Sequence, residues 1–519
     1  MDEAPVDLLV VGGGINGAGI ARDAAGRGWS VVLCEQGDLA GATSSASTKL
    51  IHGGLRYLET FQFRLVREAL VERDVLLRSA PHIVRPLRFV LPHNETLRPA
   101  WMIRLGLFLY DHLAGRGLLP GSRGVDLRRD PAGGPLDSRL RRGFDYYDCW
   151  VEDARLVVLN ARDAAERGAA ILPRTECTAA RRVDGRWHAT LRPASGGAER
   201  VVRARALVNA AGPWVESVLG RLGGKARGHV RLVKGIHIVV PQLYEGDHAY
   251  ILQNDDRRVV FAIPYEGRFT LIGTTEVDHA SDAGAPRIDP AEVAYLCAAV
   301  GRYLTRKVAP TDVVWSYSGV RPLYDDAASD PSSVTRDYVL ELDAADGQAP
   351  LLSVFGGKIT TFRRLAEHAL DKLAPHLGGA RPAWTATAPL PGGDIPGGDM
   401  AVLIEAIQRK WSWLPAPIAR RYARAYGTRV ERILGNGAEL ADLGRPLGDG
   451  VYEAELNYLV EAEWAETAED VLWRRSKLGL HVTPATAAAV DEWMRARTAG
   501  DHPTAVIPAW TRPAPPPRY

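Results

Sequence analysis

The order of apolar and polar positions at the start of the chain predicts a strand–helix–strand unit. An unbroken apolar run covers residues 6–11, three glycines follow it, a helical pattern extends to Gly28, and a second apolar run covers residues 29–33. Short apolar runs that are bounded by turn residues are typical of buried strands. We therefore expect the chain to begin with a βαβ unit, the building block of doubly wound α/β folds.

The middle of the chain contains both strand-like and helix-like patterns. Strands are predicted at residues 204–208, 228–240, 250–254, 259–263, 269–273 and 351–355. Helices are predicted at residues 61–79, 151–167 and 360–373. The strands between residues 228 and 273 are separated by turn residues, which favours an antiparallel sheet. The Gly-, Pro- and Arg-rich residues 117–145 are expected to form a loop.

The C-terminal part has a different character. Residues 400–495 show helical patterns without strand-like alternation, which indicates a separate helical domain, and a Pro-rich tail at 501–519 is expected to be extended or disordered. Residues 100–113 are apolar on nearly every face but too short to span a bilayer. We expect them to form a buried helix; a helix seated on a membrane surface is the alternative.

Composition and charge narrow the function classes. The chain has 519 residues, 46% of them hydrophobic, and a net charge of +2, which argues against a nucleic-acid-binding protein. The cysteines show no CxxC pair or zinc-binding spacing, so we expect buried free thiols and no metal site; they are Cys34, Cys149, Cys177 and Cys297. The N-terminus lacks the pattern of a secretory signal, and we expect a protein that is cytoplasmic or lies on a membrane surface.

The first glycines form a dinucleotide-binding motif in its full context. Gly12-x-Gly14-x-x-Gly17 follows a predicted strand and opens a predicted helix, and Glu35 follows the second predicted strand. The glycines permit a tight turn, a close approach of the backbone to a pyrophosphate and close packing of the helix. A carboxylate at Glu35 accepts hydrogen bonds from ribose hydroxyls and repels a 2′-phosphate, so FAD or NAD is favoured over NADP.

Two further segments favour FAD over NAD. Residues 41–49 are rich in Ser and Thr and offer hydroxyl and N–H groups to a bound cofactor. Residues 209–214 place a Gly-Pro turn after a predicted strand, which fits a second approach of the backbone to the same cofactor. Neither segment is decisive alone, because Gly-Pro turns are common.

A set of sequence blocks, in order along residues 6–495, carries a resemblance to one known family. The blocks are residues 10–28, 42–59, 152–157, 232–241, 317–323, 353–370, 442–448, 452–460 and 472–480. They resemble the FAD-dependent glycerol-3-phosphate dehydrogenases of the aerobic, respiratory type. The resemblance implies an α/β fold with a discontinuous Rossmann-like FAD-binding domain, an antiparallel-sheet substrate domain similar to D-amino-acid oxidase, and a C-terminal all-helical domain.

The resemblance also implies domain boundaries. We expect the FAD-binding domain at residues 1–60, 150–225 and 346–375, and the substrate-binding or cap domain at residues 61–149 and 226–345. The helical domain is expected at residues 390–500 and the tail at 501–519.

The implied reaction is the oxidation of sn-glycerol-3-phosphate to dihydroxyacetone phosphate, with a hydride passing from C2 to N5 of FAD. The family further implies non-covalent FAD, ubiquinone or menaquinone as electron acceptor, a homodimer, and peripheral attachment to the cytoplasmic face of the inner membrane.

Four cations are the candidate ligands of the substrate phosphate: Arg56, Arg321, Arg336 and Lys358. Each lies beside Gly, Pro or a turn at the predicted end of an element, and arginine matches phosphate with two parallel hydrogen bonds. Tyr57 is expected to line the same pocket.

His237 is the candidate proton acceptor or orienting residue, with Arg321 polarising the developing alkoxide. Alternation in the predicted strand places Gly235, His237 and Val239 on one face and bulkier residues on the other. A neutral imidazole is a plausible base near pH 7. His52 is a weaker candidate near the flavin.

The cofactor-binding residues form a larger set. Among them is a strand–Gly-Gly–helix element at residues 351–373, whose helix N-terminus can stabilise negative charge on a reduced flavin. The set is Gly12, Gly14, Asn16, Gly17, Glu35, Gln36, Thr43, Ser44, Ser45, Lys49, His52, Gly53, Gly54, Ala211, Gly212, Trp214, Gly356, Gly357, Lys358, Thr360 and Thr361.

Other functions remain open at this point. A glycerol-3-phosphate oxidase that reduces O₂ to hydrogen peroxide differs only in electron acceptor. An amino-acid or amine oxidase of the same fold would bind a carboxylate, for which several cations exceed the need. A non-catalytic FAD- or metabolite-binding module would keep the glycine loops without the cations or His237, and a nucleic-acid-modifying flavoprotein is disfavoured by the near-neutral charge.

Overall fold

The computed structural model describes most of the chain. The described residues are 4–94, 98–115, 117–224, 229–256, 258–279, 283–284, 286–325, 337–345, 347–379 and 381–500. The predictions for Arg336 and for the tail at 501–519 fall outside them.

The strands are β1 (Val6–Val11), β2 (Val31–Cys34), β3 (Leu50–Ile51), β4 (Val84–His93), β5 (Arg123–Asp126), β6 (Arg142–Val151), β7 (Ala170–Leu172), β8 (Thr175–Val183), β9 (Arg186–Pro193), β10 (Arg200–Asn209), β11 (His229–Pro241), β12 (Ala249–Gln253), β13 (Val259–Tyr265), β14 (Phe269–Gly273), β15 (Val277–Asp278), β16 (Trp315–Asp325), β17 (Val339–Asp343), β18 (Leu351–Phe355), β19 (Pro446–Gly448) and β20 (Val451–Tyr452). The helices are α1 (Ile15–Gly26), α2 (Phe63–Ser79), α3 (Ala100–His112), α4 (Asp153–Glu166), α5 (Val215–Arg221), α6 (Pro290–Gly301), α7 (Phe362–Leu377), α8 (Met400–Lys410), α9 (Ala416–Tyr426), α10 (Val430–Leu434), α11 (Glu453–Glu463) and α12 (Pro484–Gly500).

The first sheet forms the doubly wound half of the molecule. Among the described residues it has the order β17-β18-β10-β1-β2-β7, with the β8–β9 hairpin attached to β10. The strands from β18 to β7 are parallel, and their apolar runs are buried on both faces by α1, α4 and α7 on one side and by α5 and the hairpin on the other. Parallel strands bring their carboxyl ends to one edge, which is where ligands of such sheets bind.

The second sheet is mixed and larger. Among the described residues its order is β15-β11-β14-β13-β12-β4-β6-β3, with β16 attached to β11 and β5 to β6. The predicted antiparallel pairing is confirmed for β11 with β14, β14 with β13 and β13 with β12. Ile236, Ile238 and Val240 face a buried core with α6, as the alternation in β11 predicted.

The C-terminal part forms its own core. Helices α8 to α12 pack around buried residues that include Tyr422, Tyr426 and Leu456. The predicted helical character is confirmed, apart from the short antiparallel pair of β19 and β20. A π-helical turn, Asp470–Arg475, lies between α11 and α12.

Three predictions about elements were wrong. Residues 117–145 are not all loop, because β6 pairs with β4 along ten residues and β5 pairs with β6, and these partners lie far away in sequence. Strand β17 pairs with β18 in the first sheet, although the boundary expected at residue 346 assigned it to the substrate domain. Likewise β3 pairs with β6 in the second sheet, although residues 1–60 were assigned to the FAD-binding domain.

Helix α3 is also not the buried helix that we expected. Only Leu107 and Tyr110 of α3 are buried, whereas Trp101, Leu105 and Phe108 are 66%, 51% and 49% exposed. The helix is apolar nearly all round because its outer face is apolar too. Among the described residues, no helix combines the length and hydropathy of a membrane-spanning segment.

Candidate active site

A large cavity runs from the carboxyl edge of the first sheet to the face of the second. Its volume is about 1310 Å³. The predicted residues in its wall are Gly12, Gly14, Asn16, Glu35, Gln36, Thr43, Ser44, His52, Gly54, Arg56, Tyr57, Ala211, Gly212, Trp214, His237, Arg321, Gly356, Gly357, Lys358 and Thr360. Gly17, Ser45, Lys49, Gly53 and Thr361 lie behind this wall.

The glycine loop at the end of β1 leaves no room for side chains. Gly12 has φ +115°, and a Cβ there would lie 2.5 Å from the carbonyl oxygen of Ala210. A Cβ on Gly17 would lie 1.9 Å from the carbonyl oxygen of Gly12, so Gly17 acts by packing α1 against the loop. Helix α1 therefore starts at the cavity wall, which Gly14, Ile15 and Asn16 line, and the N-terminus of a helix is a favourable place for phosphate.

Glu35 follows β2 and is held by backbone N–H groups. Gly13 N–H donates to Oε2 at 2.7 Å and Gly37 N–H donates to Oε1 at 2.8 Å. Burial raises the pKa of Glu35 above its ordinary value, although these hydrogen bonds act in the opposite direction. The carboxylate is thereby fixed in one orientation at the cavity wall, where it can accept hydrogen bonds from ribose hydroxyls.

The Ser/Thr-rich segment contributes to the wall at selected positions. Ser44 Oγ accepts a hydrogen bond from Ile15 N–H at 3.0 Å, and Thr43 Oγ1 donates to the carbonyl of Val320 at 2.6 Å. Ser45 Oγ instead donates back to the carbonyl of Ala42. These contacts tie the segment to α1 and to the second sheet.

Lys49 serves the framework rather than the cavity wall. Its fully buried ammonium donates to Asp153 Oδ1 at 2.7 Å and to the carbonyl of Ser45 at 3.2 Å. A buried cation requires such a carboxylate. Lys49 therefore holds the segment against α4, behind the surface that a cofactor would touch.

A second glycine corner faces the first. Gly356 and Gly357 follow β18 with φ +70° and +98°. Asn16 Nδ2 donates to the carbonyl of Gly356 at 3.1 Å, and a Cβ on Gly357 would lie 2.8 Å from the same nitrogen. Asn16 Oδ1 is buried and has no hydrogen-bond partner among the described residues. It is thus an acceptor directed into the region between the two glycine corners.

The loop with His52 and Gly53 is supported from behind. His52 N–H donates to Thr360 Oγ1 at 3.2 Å, and Gly53 N–H donates to Tyr110 Oη at 2.8 Å. Tyr110 Oη donates to Asp148, and burial raises the pKa of Asp148 to about 6. Thr361 is buried at the start of α7. Gly53 and Thr361 therefore shape the loop without facing the cavity.

Cations gather at the other end of the cavity. Lys358 Nζ lies 4.0 Å from the centre of the Tyr57 ring, and Arg56 lies next to Tyr57 in the wall. Arg321 Nη1 donates to Glu276 Oε1 at 2.9 Å. Burial, together with Lys358 and Arg321, lowers the pKa of His52 to about 4. The structure thus brings Lys358 and Arg321 close to His52 and places Arg56, an exposed residue, in the wall of the same cavity.

His237 lies in β11 between β14 and β16. Its ring stacks on Tyr317 at 4.8 Å, and Nε2 lies 3.0 Å from Thr48 Oγ1. Nδ1 is buried without a hydrogen-bond partner among the described residues. Burial and the nearby Arg321 lower the pKa of His237, so the imidazole is neutral at pH 7. A neutral imidazole carries one N–H group and one acceptor nitrogen, so the ring can accept one proton.

Sequence reasoning missed several residues of the cavity. Thr48 contacts His237, Glu276 pairs with Arg321, Asp148 supports Gly53, and Arg474 reaches the wall from the C-terminal domain. Thr48 lies in the Ser/Thr-rich segment and Arg474 in the block at residues 472–480, but no local pattern marks either of them, Glu276 or Asp148 as a residue of the site. Only the register of distant strands, such as His237 opposite Gly273 and Tyr317, brings them together.

Comparison with known proteins identifies the class. Residues 7–363 match the family of FAD dependent oxidoreductases, and residues 383–498 match the C-terminal domain of alpha-glycerophosphate oxidase. The chain therefore belongs to the FAD-dependent oxidoreductases, and FAD is its cofactor. The predicted fold class and cofactor are confirmed.

Individual relatives narrow the family further. The chain is 56% identical over 498 residues to the glycerol-3-phosphate dehydrogenase of Pseudomonas aeruginosa, with 96% of each chain covered. It is 51% identical over 490 residues to the aerobic glycerol-3-phosphate dehydrogenase of Escherichia coli, with 94% of this chain and 97% of that protein covered. It is also 54% identical over 491 residues to the D-erythritol 1-phosphate dehydrogenase of Brucella abortus, with 94% and 97% covered.

A solved structure supports the same assignment. The glycerol-3-phosphate dehydrogenase from Bacillus halodurans, complexed with FAD, superimposes with a TM-score of 0.77 at 29% identity, covering 96% of this chain and 92% of that one. The chain belongs to the FAD-dependent glycerol-3-phosphate dehydrogenase family, which confirms the resemblance in its sequence.

The residues present fit FAD. The two glycine corners leave a cradle that side chains would fill, Glu35 is fixed at the end of β2, and Asn16 Oδ1 is an unpaired buried acceptor between them. The cavity has a volume of about 1310 Å³, which is large enough to hold a dinucleotide and to leave space at the cationic end.

Proposed function

We propose that the protein oxidises sn-glycerol-3-phosphate to dihydroxyacetone phosphate. The observation that carries the proposal is that Arg56, Arg321 and Lys358 line the same cavity as the FAD cradle, with Arg321 and Lys358 both acting on His52. Several cations fit a phosphate group that carries two negative charges. A carboxylate substrate, with one negative charge, would not need so many. The names of the relatives with more than half of their residues identical support the same substrate class.

The cations would fix the remote end of the substrate. FAD, when bound, supplies a hydride acceptor at N5. Arg321 is paired with Glu276 in the cavity wall, and a doubly charged phosphate competes with that single carboxylate for the guanidinium. Holding the phosphate in this way restricts the position of the substrate C2 atom. Part of the binding free energy is then used to orient C2 toward the flavin.

His237 would take the proton of the C2 hydroxyl. Its pKa is lowered, so the ring is in the neutral form that accepts a proton at physiological pH. In the tautomer whose Nε2–H donates to Thr48 Oγ1, the buried Nδ1 is the nitrogen that can accept a proton. Arg321, which also lowers the pKa of His237, would stabilise the negative charge that develops on the substrate oxygen.

We further propose a membrane quinone as electron acceptor. Helix α3 packs behind the cavity wall, because Tyr110 of α3 accepts the hydrogen bond of Gly53 and Arg98 before α3 pairs with Glu59 at 3.1 Å, and its outer face is apolar and exposed. Phe61, which is 78% exposed, extends this apolar surface. Such a surface fits an interfacial contact with lipid at the point where a quinone would enter. The cytoplasmic face of the inner membrane and a homodimer remain parts of the proposal that rest on family resemblance.

Two comparisons of substrates and acceptors test the proposal. With a soluble quinone analogue, we expect kcat/KM for sn-glycerol-3-phosphate to exceed that for D-erythritol 1-phosphate by about tenfold or more, since one extra carbinol carbon must fit between cations and flavin. The reverse preference would assign the four-carbon substrate. Hydrogen peroxide formed in proportion to substrate, even with the quinone analogue present, would assign the oxidase activity instead.

A further inference from the structure

The C-terminal helical domain reaches the cavity through one short segment. This segment is the π-helical turn Asp470–Arg475, and Arg474 lies in the cavity wall. It contacts the loop after β2, in which Asp38 lies three residues beyond Glu35 and also lines the cavity. The contact joins the two separately matched regions of the chain beside the carboxylate that faces the ribose.

Asp38 is the centre of a buried charge cluster. Its carboxylate, which is 3% exposed, accepts hydrogen bonds from Arg474 Nε at 2.6 Å and from Arg475 Nη1 and Nη2 at 2.7 and 2.8 Å. Arg475, fully buried, also donates to the carbonyl of Glu463 from Nε and Nη2. Charge-assisted hydrogen bonds of this kind are strong because water does not compete for them.

Arg174 and Asp470 complete the cluster from the opposite side of the loop. Arg174 Nη2 donates to Asp470 Oδ2 at 2.6 Å, and the backbone N–H of Arg174 donates to the carbonyl of Gly37 at 2.8 Å. Arg474 Nη2 donates to the same Asp470. Although burial acts in the opposite direction, Arg174 and the other cations hold the pKa of Asp470 well below its ordinary value.

The cluster controls the position of Glu35. Gly37 lies between Glu35 and Asp38, and its N–H group is one of the two donors that orient the Glu35 carboxylate. If Asp38 were released, Gly37 could move and Glu35 would lose that donor. The loop that carries one donor to Glu35 is therefore held by two side chains of the C-terminal domain, Arg474 and Arg475.

We infer that Arg474 is a positioning residue for FAD, and that the C-terminal domain is required for tight retention of the cofactor. Arg474 acts by holding Asp38, and through the loop at residues 35–38 it fixes the acceptor of the ribose hydroxyls. This role concerns cofactor retention and goes beyond the proposed substrate chemistry, which takes place at the opposite end of the cavity.

The test measures how fast the holoenzyme releases FAD. After dilution of wild type and Arg474→Ala, the appearance of free flavin fluorescence gives the release rate, and we expect it to rise by about tenfold or more in the variant. Activity that is lost on dilution is expected to return when excess FAD is added, because the variant weakens retention of the cofactor and leaves the cationic residues in place. Lys410→Ala, which removes an exposed ion pair with Glu431 in the same domain, is the matched control.

The outcomes separate positioning from folding. Arg474→Lys keeps the charge but loses the arginine fork, and we expect an intermediate release rate. If Arg474→Ala does not fold, Arg474→Gln takes its place under the same criteria. A release rate within about twofold of wild type, with or without lowered thermal stability, would overturn the inference; a raised release rate in Lys410→Ala as well would overturn it equally.

Discussion

The two ends of the cavity are built in different ways. The cofactor end is made of backbone: glycine corners after β1 and β18, N–H groups of α1, and a carboxylate oriented by two amides. The cationic end is made of side chains from the Leu55–Thr60 turn, from β11 and β16, and of Lys358, which meet only in the folded protein. The first end tolerates almost no added atoms, whereas the second depends on charges and protonation states.

This difference explains how each end fails. A methyl group added at the cofactor end clashes with close-packed backbone atoms that cannot move aside. We therefore expect such a change to abolish binding of the cofactor. A lost cation or imidazole at the other end leaves the cofactor in place and removes part of the chemistry. The predictions below use that contrast, from the largest expected effect to the smallest.

Gly12→Ala is expected to abolish FAD binding. The new Cβ would lie 2.5 Å from the carbonyl oxygen of Ala210 in a backbone conformation, φ +115°, that alanine rarely adopts. We expect flavin content after purification to fall by about 100-fold or more. Gly124→Ala, where a Cβ meets nothing within 4 Å, is the control. A yellow Gly12→Ala protein would show that the glycine corner does not hold the cofactor.

His237→Asn is expected to reduce kcat and keep the flavin. Loss of a proton acceptor costs about 10²- to 10⁴-fold in rate, with a small change in KM. The matched variant is His52→Asn, because His52 is the other neutral imidazole at the cationic end. If His52→Asn lost rate by that amount and His237→Asn did not, the proton acceptor would be His52.

Arg321→Ala is expected to weaken use of the phosphate substrate without loss of flavin. Removing a charged hydrogen bond to phosphate costs about 2–3 kcal/mol, which is roughly 30- to 150-fold in kcat/KM. Arg139→Ala removes an ion pair with Asp137 at the surface and serves as the control. Unchanged kinetics in Arg321→Ala would remove this residue from the site.

The cationic end is also expected to make stability depend on pH. His52 has a pKa of about 4 when folded and about 6.5 when unfolded, so the unfolded chain binds the proton first. Its contribution to stability is full above pH 6.5 and is lost as the pH falls toward about 4. Asp148, with its pKa raised to about 6, acts in the opposite direction.

Thermal unfolding of wild type and His52→Asn across that pH range isolates the histidine. As the pH falls from about 6.5 to about 4, the free energy of unfolding should decrease less steeply in the variant than in wild type. The difference in slope should be about 1.4 kcal/mol per pH unit. Parallel curves for the two proteins would contradict the buried, neutral state of His52.

The cofactor end could be predicted from sequence because its signals are local. Gly12, Gly17 and Glu35 follow the period of a βαβ unit, and parallel pairing then fixes which edge they share. The cationic end could be predicted only as candidate residue types, since Thr48 and Glu276 reach His237 and Arg321 through strand register that local patterns do not encode. Lys49 shows the same limit, as its partner Asp153 lies 104 residues away.

Helix α3 shows that the pattern of apolar residues along a helix does not reveal whether protein covers each of its faces. Its apolar residues on all sides predicted burial, yet Trp101 and Phe108 face outward. An apolar outer face has the same sequence pattern whether protein or lipid lies against it.

Arg474 is a comparable case, because nothing near it in sequence indicates that a helical domain would contact the loop after β2.

The most direct measurement of the central claim is an anaerobic titration of the FAD-loaded enzyme with sn-glycerol-3-phosphate, followed through the visible absorption of the oxidised flavin. If the cations hold the phosphate so that C2 lies over the flavin, the band bleaches in wild type at far lower substrate concentrations than in Arg321→Ala. A band that persists in wild type, or bleaches equally in both proteins, would contradict the account.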